Sequence, residues 1–435
     1  MSTTPLTLGT RPRTSPETSS TGLCDPALAD GPWAMDAVPG EAPPAPEYGP
    51  GSSRDDVAPA GTPVQQRIPE EYRRAPLPEL EARITAAKAA LGDRVVVLGH
   101  YYQRDEVVQH ADFLGDSYQL AQQATTTAAE HVVFCGVHFM AETADVLTGD
   151  HQDVVLPNLA AGCSMADMAD LDSVTACWEQ LEAVYGAPID EPDAEGFVPV
   201  VPVTYMNSSA ALKAFCGDHG GIVCTSSNAA AVLEWAFARG RRVLFFPDQH
   251  LGRNTGSAMG VPTSRMPVWD PRKPLGGNDA DVLHDARVLL WRGWCSVHQR
   301  FTTAQVEAAR AADPGVRVVV HPECPKEVVD AADEAGSTQH IERVVREAPP
   351  GTSFAIGTEI TMVQRLAAQH PDLTITCLDP VVCPCSTMYR IHPGYLAWVL
   401  EALVRGEVLN QVRVDARTAV SARVALQRML EVRPR

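Results

Sequence analysis

The stretch RVVVLGHYYQ, residues 94–103, shows the pattern on which the rest of the chain is built. Its run of β-branched residues predicts a buried strand that ends at His100, directly after Gly99. Helices are predicted on both sides of it, at residues 79–92 and 105–127. A short apolar strand between two helices indicates an α/β fold with a parallel sheet.

The same alternation recurs twice more, so we predict three similar three-layer α/β domains with short parallel sheets around a central cavity. The segment RRVLFFPDQHLGRNTG, residues 241–256, is predicted as a strand and a long loop. The predicted divisions are an extension at 1–70, a first domain at 71–162 completed by helices in 390–435, a second at 163–294 and a third at 295–389. Because ligands bind outside the carboxyl ends of strands in such sheets, three inward-facing edges would form one site.

Length and composition exclude several classes of protein. The 435 residues suffice for two or three domains with a large core, whereas residues 1–70 hold thirteen of the 35 prolines and are expected to be disordered. A net charge of −19 argues against nucleic acid as a partner. The sequence has no apolar run long enough to span a membrane and no export signal, so we expect a cytoplasmic protein without a membrane partner.

Eleven cysteines occur, and in a chain without an export signal they are expected to be buried thiols, metal ligands or catalytic thiols rather than disulfides. Cys163, Cys295 and the pair Cys383/Cys385 each follow one pass of the strand–helix pattern. Three thiolates, one from each pass, could hold an iron–sulfur cluster and leave one iron without a protein ligand. Ordinary buried thiols, as expected for Cys135, and a zinc site stay open as alternatives.

Polar side chains follow the predicted strands. His100 and Tyr102 lie two residues apart after the first strand, and His321 and Glu323 have the same spacing after a later one. Residues two apart in an extended chain project to the same side, so the His321 ring and the Glu323 carboxylate could face one substrate. Such a pair suits general acid–base catalysis; a surface loop with an incidental histidine is the alternative.

The second pass offers Tyr205 and Asn207 before a helix N-terminus. Hydroxyl-rich turns open helices at Ser226 and Thr338, where backbone amides can hold a phosphate or carboxylate; simple N-capping is the alternative. The polar residues 248–254 are expected to shape a pocket, without assigned roles. The sequence has neither a GxxxxGK[ST] loop nor a strand-linked GxGxxG motif, so nucleotide binding is not expected.

Nine motifs follow one another along the chain: GHYYQ, GDSYQLA, GCSMADMA, TYMNSSA, TSSNA, FPDQHLGRNT, HPEC, GST and CPCSTM. In this order they resemble the motifs of the quinolinate synthase family, from about residue 70 to the C-terminus. The resemblance implies three α/β domains around a central cavity and a 4Fe–4S cluster held by three cysteines, with the open iron as a Lewis acid. It also implies a transferase-class dehydrating condensation of iminosuccinate with dihydroxyacetone phosphate, which gives quinolinate, phosphate and water in de novo NAD biosynthesis.

Carried over motif by motif, the resemblance also implies site residues. The metal ligands are Cys163, Cys295 and one of the final pair. The catalytic groups are Glu323, His321, His100 and Tyr102. The substrate contacts are His100, Ser117, Tyr205, Asn207, Ser226, His321, Glu323 and Thr338, and Met388 matches a pocket position. The implied partners are the two small-molecule substrates, with functional coupling to an L-aspartate oxidase or dehydrogenase.

The third ligand stays open between Cys383 and Cys385. Cys383 is followed by proline, and Met388 stands five residues after Cys383. This pattern resembles family members in which the first cysteine is the ligand. In the branch with a Cys-Pro-Cys ending the ligand is assigned to the second, and we favour Cys385 on that resemblance. Two rival functions are another iron–sulfur hydro-lyase, acting on a different small acid, and a non-catalytic redox sensor. The His, Glu, Tyr and Asn residues at strand ends count against the sensor.

Overall fold

The computed structural model describes residues 65–186, 188–381 and 384–432, so residues 1–64 of the predicted extension lie outside the described residues. The first described residues already pack against the rest of the protein, since Ile68 is buried. Among the described residues, no helix combines the length and the apolar character that crossing a bilayer requires.

Helices and strands alternate along the described chain. The first unit contains α1 (Glu70–Arg73), α2 (Leu77–Leu91), β1 (Val95–His100), α3 (Asp105–Val108), β2 (Phe113–Gly115), α4 (Ser117–Thr126), β3 (His131–Cys135), α5 (His138–Leu147) and β4 (Asp153–Val155). The second contains α6 (Leu171–Tyr185), β5 (Val198–Tyr205), α7 (Ala210–Asp218), β6 (Ile222–Cys224), α8 (Ala229–Phe237), β7 (Gly240–Phe246), α9 (Gln249–Ala258), β8 (Val268–Trp269), α10 (Ala280–Asp285) and β9 (Val288–Trp291). The third contains α11 (Thr303–Ala312), β10 (Arg317–Val320), α12 (Lys326–Ala331), β11 (Glu334–Ala335), α13 (Thr338–Arg346), β12 (Ser353–Gly357), α14 (Ile360–Gln369) and β13 (Thr374–Cys377). The C-terminal elements are α15 (Pro393–Val404), β14 (Gln411–Val412) and α16 (Ala416–Glu431).

Three parallel sheets share one strand order. Side by side they run β2-β1-β3-β4, β6-β5-β7-β9 and β11-β10-β12-β13. The short strands β14 and β8 extend the first and second sheets, β14 antiparallel to β4 and β8 parallel to β9. The predicted α/β fold with short parallel sheets is thereby confirmed, while the domain boundaries stay predictions. Because all strands of a parallel sheet end at the same edge, each unit has one edge that carries its polar loops.

The single helix predicted at residues 105–127 is wrong, because β2 separates α3 from α4. Asp112 explains the interruption: its main-chain N–H donates to the Val97 carbonyl oxygen, and its carboxylate accepts from the Val97 N–H, both at 2.8 Å. These bonds fix the chain beside β1. Asp116 then starts α4 through a capping box with Gln119.

The long loop predicted after β7 is also wrong, because residues 249–258 form α9. The Asp248 carboxylate begins this helix by accepting the backbone N–H groups of His250 and Leu251. Gly252 lets the helix lie close to the sheet, since a Cβ there would come within 2.7 Å of Phe245. The polar motif is therefore a helix packed on the sheet beside the site.

The C-terminal helices join the first and second units. Helix α15 packs against α2, where the Glu401 carboxylate binds Arg83 at 2.7 Å and accepts from the Tyr72 hydroxyl at 2.7 Å. Helix α16 packs along α7 and against β6. The cores of these two units consequently form one hydrophobic cluster, whereas the third sheet has a separate cluster on each face.

We expect Gly217→Ala to destabilise the protein, because an ideal Cβ at Gly217 of α7 would lie 1.9 Å from the Ser421 carbonyl oxygen of α16. Overpacking of this kind costs about 1–3 kcal/mol. It outweighs the gain in helix propensity, about 1 kcal/mol, that alanine would otherwise bring. Urea unfolding measures the change, with exposed Val420→Ala on α16 as the control. A Gly217 variant as stable as the parent protein contradicts this close packing.

Candidate active site

The carboxyl-terminal edges of the three sheets surround one cavity with an empty volume of about 670 Å³, which includes the space open to solvent. Its wall contains all the proposed side chains that the structure describes: His100, Tyr102, Ser117, Cys163, Tyr205, Asn207, Ser226, Cys295, His321, Glu323, Thr338, Cys385 and Met388. Cys383 lies outside the described residues. The structure thus brings these residues together, while their roles stay predictions.

The first strand of each sheet contributes two side chains, two residues apart, at its carboxyl end. The pairs are His100 and Tyr102 at the end of β1, Tyr205 and Asn207 at the end of β5, and His321 and Glu323 directly after β10. The neighbouring edge strand brings a hydroxyl beside each pair: Ser117 after β2, Ser226 after β6 and Thr338 after β11. Ser117 and Thr338 are the first residues of α4 and α13, where unpaired backbone N–H groups favour anions. Each of the three units therefore contributes the same set of polar groups to the wall, namely two strand-end side chains and one hydroxyl.

Cys163, Cys295 and Cys385 lie in three copies of one local structure. Each is followed by serine, and a 3₁₀ turn begins three residues later. The turns are Ala166–Met168, His298–Arg300 and Met388–Arg390. In each copy the amide four residues after the cysteine donates to the cysteine carbonyl oxygen, at 3.1, 2.9 and 3.0 Å. Helix caps stand seven residues after each cysteine, at Asp170, Thr302 and His392. Cys385 fits this repeat in sequence and structure, whereas proline follows Cys383.

The three thiols have surroundings suited to a metal cluster. All three cysteines are free of disulfides. Burial raises the pKa of each thiol, that of Cys163 to about 12, and Cys385 raises the pKa values of Cys163 and Cys295 further. Backbone N–H groups of each following turn donate to the sulfur. All three cysteines line one cavity, and backbone groups that favour the charged form of a thiol stabilise metal-bound thiolates, so this donor set fits an iron–sulfur cluster.

The rings of His100 and His321 are neutral hydrogen-bond donors to the cavity. The Nδ1 atom of His100 accepts the Tyr102 N–H at 3.1 Å, and Nδ1 of His321 accepts the Glu323 N–H at 3.3 Å. Since an amide N–H can only donate, the ring proton of each histidine lies on Nε2. Burial lowers the pKa of each ring to about 3. Both rings therefore offer an Nε2–H to a ligand without carrying a positive charge.

A chain of polar contacts connects Glu323 with Tyr102 across the third unit. A Glu323 carboxylate oxygen lies 2.7 Å from His298 Nδ1, and His298 Nε2 lies 3.1 Å from the Thr358 hydroxyl. The Thr358 hydroxyl in turn lies 2.6 Å from the Tyr102 hydroxyl. All four side chains line the cavity or are buried directly behind it. Such a chain can move a proton between its two ends by small shifts of position.

The charge of Glu323 depends on its neighbours. Burial opposes ionisation of this carboxyl, but the neighbouring His298 ring and the Tyr205 hydroxyl outweigh burial, and the pKa of Glu323 falls below its ordinary value. The rings of His298 and His321 are stacked, with centroids 4.5 Å apart. Burial raises the pKa of Tyr102 well above its ordinary value, and the nearby charge of Glu323 raises it further. The site consequently holds a carboxylate base and a protonated phenol at neutral pH.

Several members of the site were missed in the sequence. His298 and Thr358 were not singled out, although His298 stands three residues after Cys295 and Thr358 directly follows β12. The signal that could have found His298 is the Cys-Ser repeat with its following turn, which marks that position in each unit. Among the described residues, Cys295, His298 and Glu323 also form a group whose possible ligand atoms lie within 4.8 Å of one another.

Comparisons with known proteins agree over most of the chain. The family model described as quinolinate synthetase A protein matches residues 82–431. The chain is 65% identical over 388 residues to quinolinate synthase from Corynebacterium glutamicum, a match that covers 89% of this chain and 96% of that protein. It is 55% identical over 366 residues to quinolinate synthase from Acidobacterium capsulatum, covering 84% and 96%. Identity to quinolinate synthase from Rhodopirellula baltica is 51% over 374 residues, covering 83% and 93%.

The neutral state of His100 predicts a pH-dependent contribution to stability. Its pKa falls from 6.5 to about 3 on burial, so below pH 6.5 the unfolded chain binds a proton that the folded ring does not. This term lowers stability as the pH falls, by about 2 kcal/mol at pH 5. Urea unfolding of metal-free protein measures how much stability is lost between pH 7.5 and pH 5. This loss should be smaller in His100→Gln than in the parent protein, by about 2 kcal/mol. The exposed His151→Gln control should behave like the parent protein. Equal losses in the parent and His100→Gln proteins contradict a neutral His100.

Proposed function

The chain belongs to the quinolinate synthase family, and on that premise we propose that it condenses iminosuccinate with dihydroxyacetone phosphate to form quinolinate in de novo NAD biosynthesis. Phosphate and two waters leave, which balances the atoms of the two substrates and the product. The observation that carries the proposal is the convergence of the predicted side chains of all three units on one cavity. Hydrogen-bond donors, thiols and a carboxylate base occur there together.

The donors of the wall suit anionic substrates. Iminosuccinate carries two carboxylates and dihydroxyacetone phosphate carries a phosphate, whereas the protein itself has a net charge of −19. Binding must therefore come from local donors rather than from the overall field. We assign carboxylates and phosphate to the Nε2–H groups of His100 and His321, to Asn207, and to the hydroxyls beside helix N-termini. Tyr205 lines the same cavity.

Cys163, Cys295 and Cys385 would hold a 4Fe–4S cluster with one iron lacking a protein ligand. When bound, that iron supplies a Lewis acid for oxygen atoms of the substrates. The shared turn is the reason for choosing Cys385, because a third copy of the same local structure presents the third thiol in the same way. A single metal ion on Cys295, His298 and Glu323 is the alternative arrangement. It would use the same carboxylate that the proposed reaction needs as a base.

The protein's own groups supply the proton transfers. The Glu323 carboxylate accepts a proton from carbon during enolisation, and His298 stands ready to stabilise or relay that proton. The Tyr102 phenol stays protonated and can donate to a leaving hydroxyl, after which Thr358 and His298 return a proton to it.

Turnover tests the proposed reaction directly. Anaerobically loaded protein should form quinolinate when given dihydroxyacetone phosphate and iminosuccinate generated in place from oxaloacetate and ammonia, and chromatography should detect the product. Omission of either substrate should abolish it. Fully loaded protein that forms no quinolinate contradicts the proposal and favours a hydro-lyase acting on another small acid.

The choice of the third ligand predicts a contrast between two cysteines separated by one residue. Cys163→Ser, Cys295→Ser and Cys385→Ser should each lose most iron and acid-labile sulfide after anaerobic reconstitution, because each removes one of three protein ligands. Cys383→Ser is the matched control and should keep about four irons and four sulfides per chain. Retention of the cluster in Cys385→Ser together with its loss in Cys383→Ser would reverse the assignment. Zinc in place of iron would remove the cluster from the proposal.

Glu323→Gln keeps the shape of the side chain and removes the base. We expect kcat to fall by about 100- to 10,000-fold, the usual contribution of a positioned general base. The visible absorption of the loaded cluster should not change. Glu327→Gln, an exposed glutamate in the first turn of α12, is the matched control and should remain active. Full activity of Glu323→Gln would remove this residue from the reaction.

A further inference from the structure

We infer that Asn254 and Arg365 are positioning residues, each of which fixes a site residue of the next unit by holding the carbonyl groups on both sides of it. Asn254 holds Glu323, and Arg365 holds Tyr102. The inference deepens the proposed function, because it concerns the same cavity and rests on the proposed roles of these two residues.

Asn254 lies on α9 of the second unit and is buried. Its amide nitrogen donates to the carbonyl oxygens of Pro322 and Cys324, both at 2.8 Å. These carbonyls belong to the residues directly before and after Glu323, in the third unit. Both amide hydrogens are thus used to hold one loop. Removal of the donor would leave two carbonyl groups behind Glu323 without this partner.

Arg365 lies on α14 of the third unit and is also buried. One guanidinium nitrogen donates to the Tyr101 carbonyl oxygen at 2.8 Å, and the other terminal nitrogen donates to the Gln103 carbonyl oxygen. These carbonyls flank Tyr102, in the first unit. The Nε atom lies 2.5 Å from a carboxylate oxygen of Asp105, the first residue of α3. The planar, forked guanidinium can make all three contacts, which a lysine ammonium cannot.

The two residues occupy equivalent places in their units. Asn254 stands eight residues after the end of β7, and Arg365 stands eight residues after the end of β12. The equivalent residue of the first unit, eight residues after the end of β3, is Thr143. Its hydroxyl lies 3.4 Å from the sulfur of Met206, between Tyr205 and Asn207 of the second unit. The neighbouring Glu142 accepts the Ala210 N–H of the second unit at 3.0 Å.

The contacts therefore close a ring, in which each unit holds the first-strand loop of the next. The first unit holds the loop of the second, the second holds that of the third, and the third holds that of the first. Glu323 and Tyr102 sit at opposite ends of the proton-transfer chain, and each is held from a different unit. Misplacement of either by about 1 Å costs about 100-fold in rate.

Double-mutant kinetics can separate positioning from general stability. Asn254→Leu should lower kcat for quinolinate formation by about 10- to 100-fold. In a Glu323→Gln background the same change should lower kcat by less than about threefold, because the group that Asn254 positions is already gone. Thr255→Val, at the next position of α9, is the matched control and should leave kcat near that of the parent protein. Equal losses in the two backgrounds would overturn the inference.

Hydrogen exchange gives a readout that does not depend on activity. Asn254→Leu should accelerate amide exchange in residues 321–326, and Arg365→Lys in residues 101–105, each without change in the other loop. The exposed Gln364→Ala is the control for α14. Should Asn254→Leu fail to fold, Asn254→Ser serves as the milder variant. Unchanged exchange in the held loop, or equal acceleration everywhere, would overturn the inference. Local acceleration supports the ring of contacts even when the parent protein forms no quinolinate, an outcome that contradicts only the proposed function.

Discussion

All strands of a parallel sheet have their carboxyl ends at the same edge, and the site depends on this constraint. The central strands of each sheet, such as β1, β9 and β10, are short and almost completely buried, so their polar side chains lie at or beyond the carboxyl ends. One such edge offers a pair of strand-end residues, a hydroxyl, and a cysteine that is followed by a 3₁₀ turn. Three edges that face one cavity supply three of each. No single unit contains a complete set of groups for the proposed reaction.

Burial then decides the charge of each group. Rings of His100 and His321 are neutral because water is excluded from them, and they act as donors rather than as cations. Glu323 remains a carboxylate because the His298 ring and the Tyr205 hydroxyl favour its charged form. Buried thiols need a metal to become thiolates, which links cluster binding to proton release. The positions of the loops therefore matter as much as their residues, since His298 of the third unit and Tyr205 of the second together favour the charged form of Glu323.

Much of the fold was predictable, because β-branched runs and helical segments alternate without ambiguity from β3 to α8. The errors arose where local pattern and tertiary structure disagreed. Phe113 and Leu114 sit in a stretch that reads as helix, and only the pairing of β2 with β1 makes it a strand. Polar residues 248–254 suggest a loop, yet capping by Asp248 and the small Gly252 allow a packed helix. Pairing and close approach are tertiary effects that a local pattern does not contain. Site residues that lie in a recognisable motif could be predicted from the sequence. His298 and Thr358 are identified as site residues only by their contacts with Glu323 and Tyr102.

We propose that three equivalent turns present Cys163, Cys295 and Cys385 to one 4Fe–4S cluster, whose fourth iron would have no protein ligand. Mössbauer spectroscopy of protein loaded anaerobically with ⁵⁷Fe tests it most directly, with and without quinolinate. We expect a cubane spectrum in which about one quarter of the iron signal, the share of one iron in four, changes when quinolinate binds. A spectrum in which every iron is unaffected by quinolinate, or one from isolated iron ions, would contradict it.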